Sequence, residues 1–225
     1  MTDLDHEKKI AALEAIKYIE EGMIVGLGTG STAQFMIRAL GERVLTGLKI
    51  QGIPSSKATR ELALECHIPL ITLKDGERID VTIDGADEFD PYLQLIKGGG
   101  GALLHEKILA YNSDLYIIIA DSKKQVERLG TFKLPVESIP FATYSIIQTL
   151  TDRGLRPILR ESDGEVFITA EGNYIIDLDI RHATNLTELE LSLKQVPGIV
   201  ETGLFLHMAD IIIMGKEKDT VLFKR

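Results

Sequence analysis

Met23-Ile24-Val25-Gly26-Leu27-Gly28-Thr29-Gly30-Ser31-Thr32 is the stretch that decides the fold. A short apolar run reads as a buried strand, and a turn of glycines and hydroxyls hands it to a helix carrying Phe35, Met36, Ile37 and Leu40. The same exchange recurs along the first half. Strands are expected over residues 49–53, 70–73, 80–83, 93–96 and 115–120, with helices over 7–21, 57–66 and 102–111. Such alternation predicts an α/β fold: a doubly wound, mostly parallel sheet.

The texture changes after Gly130. Leu134-Pro135-Val136 and Ile139-Pro140 read as breaks in the rhythm. A helix over 141–153, short strands over 156–159, 166–169 and 174–178, and a helix over 186–193 follow, with a hairpin turn at Glu161-Ser162-Asp163-Gly164. This segment is expected to form a smaller inserted α+β lobe, residues 130–204. Residues 1–129 and 205–225 then form the α/β domain, with the strands 211–214 and 221–223 rejoining the first sheet.

Composition narrows the function. The chain has 225 residues, enough for a sizeable core, and its 44% hydrophobic and 26% charged content is ordinary for a globular protein. A net charge of −9 argues against nucleic acid as a partner, because phosphate-backbone binding needs clustered Lys and Arg. The lone Cys66 excludes an internal disulfide framework. The charged N-terminus and the lack of a membrane-length apolar run point away from a membrane and toward the cytoplasm.

Chemistry concentrates in two places. The loop Gly28-Thr29-Gly30-Ser31-Thr32 opens a helix, whose free N–H groups and partial positive charge suit phosphate; a capped tight turn is the plainer alternative. Its spacing fails the dinucleotide fingerprint, and no P-loop Gly-Lys-Ser/Thr occurs. The second place is Asp84-Gly85-Ala86-Asp87-Glu88 followed by Lys97-Gly98-Gly99-Gly100-Gly101 and Glu106. Asp84 and Asp87 fall at the carboxyl end of a strand, where open α/β sheets bind ligands. Asp84, Asp87 and Glu88 are also hard oxygen donors suited to magnesium, although Lys97 offers a counter-charge without a metal. Lys97 and the glycine N–H groups could hold an enolate oxygen. Glu106 could point back from the next helix as a base, with its neighbour His105 as rival. Lys124 follows the strand ending at Ala120 and could touch phosphate, and Lys8 is a weaker candidate of the same kind.

GlyThrGlySerThr, AspGlyAlaAspGlu, LysGlyGlyGlyGly-x-Leu-x-x-GluLys, Ser-Lys-x-Gln-Val and ValProGlyIleVal-x-x-GlyLeuPhe occur in order and span nearly the whole chain. The set resembles the ribose-5-phosphate isomerase A family. The resemblance implies interconversion of D-ribose 5-phosphate and D-ribulose 5-phosphate in the non-oxidative pentose phosphate pathway, without metal or organic cofactor, by a homodimer or homotetramer. It implies Glu106 as general base, Asp84 as its acid–base partner, and Asp87 and Lys97 as further active-site residues. Thr29, Gly30, Ser31, Thr32, Asp84, Gly85, Ala86, Asp87, Lys97, Gly98, Gly99, Gly100 and Lys124 are the implied substrate contacts, with Lys8 beside them. His105 departs from the family pattern. Two other readings fit parts of the sequence: a sugar-phosphate sensor without catalysis, and a deaminase or CoA-transferase on the same scaffold.

Overall fold

A computed structural model describes residues 3–73 and 78–225. Its main sheet has six strands, in the order Asp219–Lys224, Ile211–Lys216, Ser113–Asp121, Ile79–Gly85, Ile24–Leu27 and Gln51–Pro54. All neighbours run parallel except the first, which returns antiparallel through the turn at Glu217 and Lys218.

The apolar runs form strands here because the sheet is buried on both faces. Ile117, Ile119, Ile211 and Ile213 enter one core with Ala11, Ala12, Met36, Ile37 and Leu40. The alternate residues Tyr116, Ile118, Ala120, Ile212 and Met214 enter another with Phe89, Leu95 and Phe205. Helices α1 (Asp3–Ala15), α2 (Ser31–Leu45) and α3 (Lys57–Glu65) supply the first covering, and α4 (Leu103–Tyr111) runs just ahead of Ser113–Asp121. The opening helix starts earlier than its apolar spacing predicts and finishes as a short 3-10 turn, Ile16–Tyr18, before Gly22 turns the chain at φ 86°.

From Ile24–Leu27 the chain moves outward to Gln51–Pro54, then crosses back to Ile79–Gly85 on the other side. The carboxyl ends of Ile24–Leu27 and Ile79–Gly85 therefore flank a topological switch point, the crevice where such sheets bind ligands. Thr82 and Asp84 of the second strand lie over Gly26 and Gly28, in and just after the first. A Cβ on Gly28 would lie 2.1 Å from Asp84 Oδ1, and one on Gly26 would lie 1.9 Å from Thr82 Oγ1.

The second half builds a four-stranded antiparallel sheet, ordered Ile199–Thr202, Leu134–Ser138, Tyr174–Leu178 and Ile158–Leu159. Helices α5 (Thr143–Asp152) and α6 (Leu186–Lys194) share its core through Ile146, Leu150 and Leu193, which meet Leu134, Val136, Ile176 and Leu178. Asp163-Gly164 turns the small hairpin Glu161–Ser162/Glu165–Val166; the turn is shorter than expected, because Glu161 and Ser162 join the strand.

Three expectations fail. Leu134-Pro135-Val136 is no break but part of a fully buried central strand. Pro135 is tolerated one residue from its start, where its carbonyl still accepts from the Gly203 N–H. Leu95–Ile96 belongs not to the parallel sheet but to a three-stranded antiparallel one with Glu88–Phe89 and Leu204–Phe205. Residues 70–73 form no strand; Leu70 makes a single parallel bridge to Gly52.

Candidate active site

The turn after Ile24–Leu27 leaves α2 uncapped. Gly30 takes φ 108°, and among the described residues no side chain bonds the first-turn N–H groups. Ser31 and Thr32 are the first two helical residues rather than caps, so the N–H groups and hydroxyls of this end stand together. The Thr29 hydroxyl lies 2.7 Å from Ser55 Oγ, 2.8 Å from Ser56 Oγ and 3.1 Å from Thr59 Oγ1. Thr59 in turn donates to the Gly28 carbonyl at 2.8 Å. This cluster fixes the loop from behind. Its signal in the sequence was Ser55-Ser56, placed where a strand meets a helix.

Across the crevice, Asp84 is fully enclosed. Its Oδ1 accepts from the N–H groups of Thr29 (3.0 Å) and Gly85 (2.7 Å), and its Oδ2 lies 3.0 Å from Lys97 Nζ. Lys97, 2% exposed, also lies 3.4 Å from Glu106 Oε1, donates to the Gly85 carbonyl at 2.5 Å, and sits 5.5 Å from the Phe205 ring centre. Glu106 is 4% exposed in the first turn of α4, and its Oε2 has no hydrogen-bond partner among the described residues. Two buried acids thus share one ammonium. Burial, reinforced by the charge of Asp84, pushes the Glu106 carboxyl up to about 8. Burial also raises Asp84 against the pull of Lys97. For Lys97 burial acts downward, yet Asp84 and Glu106 outweigh it and hold the ammonium above its usual value.

These groups wall a cavity of about 100 Å³ lined by Thr29 to Thr32, Gly85 to Asp87, Lys97 to Gly100, Glu106 and Lys124. Lys8 reaches it from α1, donating to Ser31 Oγ at 3.0 Å. The two separated sequence regions therefore meet at one place. Asp84 is the exception, standing behind Lys97 rather than on the cavity wall. Glu88 is turned away altogether: its carboxylate accepts from the N–H groups of Gly130 (2.8 Å) and Phe132 (2.5 Å), so Asp84, Asp87 and Glu88 do not converge. His105 faces a different cleft, where its Nε2 lies 2.7 Å from Glu171 Oε1.

The comparisons with known proteins decide the family. A sequence profile described as ribose 5-phosphate isomerase A (phosphoriboisomerase A) matches residues 51–219. The chain belongs to the ribose 5-phosphate isomerase A family. The ribose-5-phosphate isomerase A of Jannaschia sp. (strain CCS1) is 47% identical, covering 98% of this chain and 87% of that protein. The solved ribose 5-phosphate isomerase A of Methanocaldococcus jannaschii superposes with a TM-score of 0.92 at 40% identity, over 97% of this chain and 98% of the other. A D-ribose-5-phosphate isomerase in complex with phospho-erythronic acid superposes with a TM-score of 0.96 at 40% identity, covering 100% of both chains.

Within this isomerase-family site, sequence reasoning missed Arg160, Phe205 and Lys107. Arg160 reaches the glycine loop from the small hairpin region, 61 and 62 residues away in sequence. Lys107 lies 4.7 Å from the Phe205 ring centre and donates to the carbonyls of Thr202 (2.6 Å) and Leu204 (2.7 Å). It thereby binds α4, and Glu106 with it, to the strand beside Lys97. Its place directly after Glu106 was the hint in the sequence.

Proposed function

We propose that this chain interconverts D-ribose 5-phosphate and D-ribulose 5-phosphate through an enediolate. One observation carries the reading: Glu106 and Lys97 stand buried side by side on the same cavity that the open N-terminus of α2, Lys8 and Lys124 flank. An anion-binding end and a reacting end are thus provided on one cavity. The sugar-phosphate ligand class is supported by the related isomerase solved with phospho-erythronic acid, a phosphorylated acid whose planar carboxylate imitates an enediolate.

Phosphate binds at the helix end, with Ser31, Thr32, Lys8 and Lys124 as donors. Glu106 takes the C2 proton and returns it to C1, a task that suits a carboxyl poised near neutrality. Lys97 stabilises the charge that develops on oxygen. Net transfer also moves a hydroxyl proton from O2 to O1, and the ring must open first; the Lys97–Asp84 pair is the acid–base group for both. Asp87, on the cavity wall, faces the substrate hydroxyls. In the same reading residues 1–129 and 205–225 are the catalytic domain and 130–204 its smaller lobe.

The test is a direct assay of ribose 5-phosphate isomerisation with and without EDTA. Turnover in both is expected, because Lys97 occupies the place a Lewis acid would take. Dependence on added magnesium would return the charge-stabilising role to a metal.

A further inference from the structure

Arg160 has no role in the proton transfers or phosphate binding described so far, yet it grips the glycine loop. Its Nε and Nη2 form a fork on the Asp177 carboxylate at 2.9 and 2.5 Å. Its Nη1 is left to donate to the carbonyls of Gly98 (2.8 Å) and Gly99 (3.1 Å). The side chain is 14% exposed and that of Asp177 18%, so both are held in place.

The consequence follows from peptide geometry. A trans peptide sets its C=O and N–H on opposite edges. In the Gly98–Gly99 unit the carbonyl is held by Arg160 and by the Gly101 N–H (2.9 Å), while the Gly99 N–H donates to Asp87 Oδ2 at 2.7 Å. That unit is fixed from both sides, and it fixes Asp87. In the Gly99–Gly100 unit Arg160 holds the carbonyl, so the Gly100 N–H is turned the other way. Among the described residues that N–H has no hydrogen-bond partner, and Gly100 lines the cavity. The hairpin presses on the loop a second time, since a Cβ on Gly101 would lie 2.3 Å from the Phe167 ring.

We propose that Arg160 is a positioning residue for the isomerisation: by holding the Gly98 and Gly99 carbonyls it aims the Gly100 N–H at the enediolate oxygen and sets the rotamer of Asp87. This rests on the isomerase reading above. It acts on charge that develops during reaction, not on the phosphate, which binds at the far end of the cavity.

Arg160→Met removes the donors and keeps an apolar stem. Losing an oxyanion donor outright costs about 10²–10³-fold in kcat; a donor misaimed rather than lost is expected to cost about tenfold or more, with KM changed less than about twofold. The Kd of phospho-erythronic acid, measured by calorimetry, is expected to rise by a similar factor, and that of inorganic phosphate to stay put. In Arg160→Ala, low millimolar guanidinium is expected to restore part of kcat. Equal weakening of both ligands, or kcat loss with unchanged phospho-erythronic acid binding, overturns the proposal, as does a complete lack of rescue. Should either variant fail to fold, Asp177→Asn loosens the fork alone and is expected to shift kcat and the acid's Kd in the same direction by a smaller factor; no shift counts against the idea. If the wild-type chain lacks isomerase activity, the isomerase reading falls, while the two binding constants still judge Arg160.

Discussion

Replacing Lys97 by methionine removes a cation and keeps most of the side chain's volume. The loss leaves Asp84 and Glu106, now 3.0 and 3.4 Å from the missing Nζ, without their shared counter-charge. Both carboxyls already stand above their usual values because of burial, and removing the ammonium raises them further. For an acid raised on folding, no cost arises while it is protonated in both states. The cost begins as pH rises above the unfolded value, about 4 for Asp and Glu, and grows until the folded group ionises. Stripping one partner from a buried pair costs about 3–5 kcal/mol. Urea denaturation of Lys97→Met should therefore show a deficit of about that size at pH 8, most of it gone at pH 4. Adding Asp84→Asn should recover part of the deficit at pH 8, since one buried acid then remains neutral. The kcat of the single variant is expected to fall about 10²–10³-fold, as for loss of an oxyanion donor. A deficit equal at both pH values would refute this reasoning, because the cost would then lie in packing rather than charge.

Glu106→Gln keeps shape and should still bind substrate, while kcat falls about 10²-fold or more and exchange of the C2 proton with heavy water disappears. His105→Ala, facing the Glu171 cleft, should change kcat far less; the reverse pattern would make the histidine the proton carrier. Because a base works only when ionised, wild-type kcat/KM is expected to climb with pH until about 8 and then level off. An acidic limb centred near pH 4.5 would show Glu106 to be unperturbed. Ser31→Ala and Lys124→Ala should mainly raise KM, since phosphate is held alike in ground and transition states; loss confined to kcat would show that these residues do something other than anchor.

The parallel core was legible because each strand contains a short apolar run, and burial on both faces demands such runs. Where that logic lapses, so did the reading. Pro135 looks like a breaker, yet it sits beside the start of its strand, where proline's missing N–H disrupts least. Leu95–Ile96 is apolar for a different reason: it packs with Phe205 beneath the glycine loop, and two residues carry no periodicity. At the site, residue types at strand ends and in glycine loops announced the acids and Lys97. They did not tell Asp84, behind the wall, from Asp87, on it. Nor could spacing reveal Arg160, whose contacts with Gly98 and Gly99 exist only once the hairpin region folds back over the loop.

Glu7 bears on when the site can exist. Its buried carboxylate accepts from the Ser122 N–H and hydroxyl at 3.0 and 2.7 Å, and from the Glu217 N–H at 2.9 Å. A Cβ on Gly215 would collide with the Glu7 backbone, so the strand passes directly beneath α1. The helix that carries Lys8, the turn that carries Lys124 and the strand Ile211–Lys216 are therefore fastened by one side chain. During synthesis, α1 can pack on α2 early, but its fastening through Glu7 is complete only once residues 211–217 have left the ribosome. The side of the cavity that carries Lys8 and Lys124 is consequently locked late, by contacts that span 115 and 210 residues of chain.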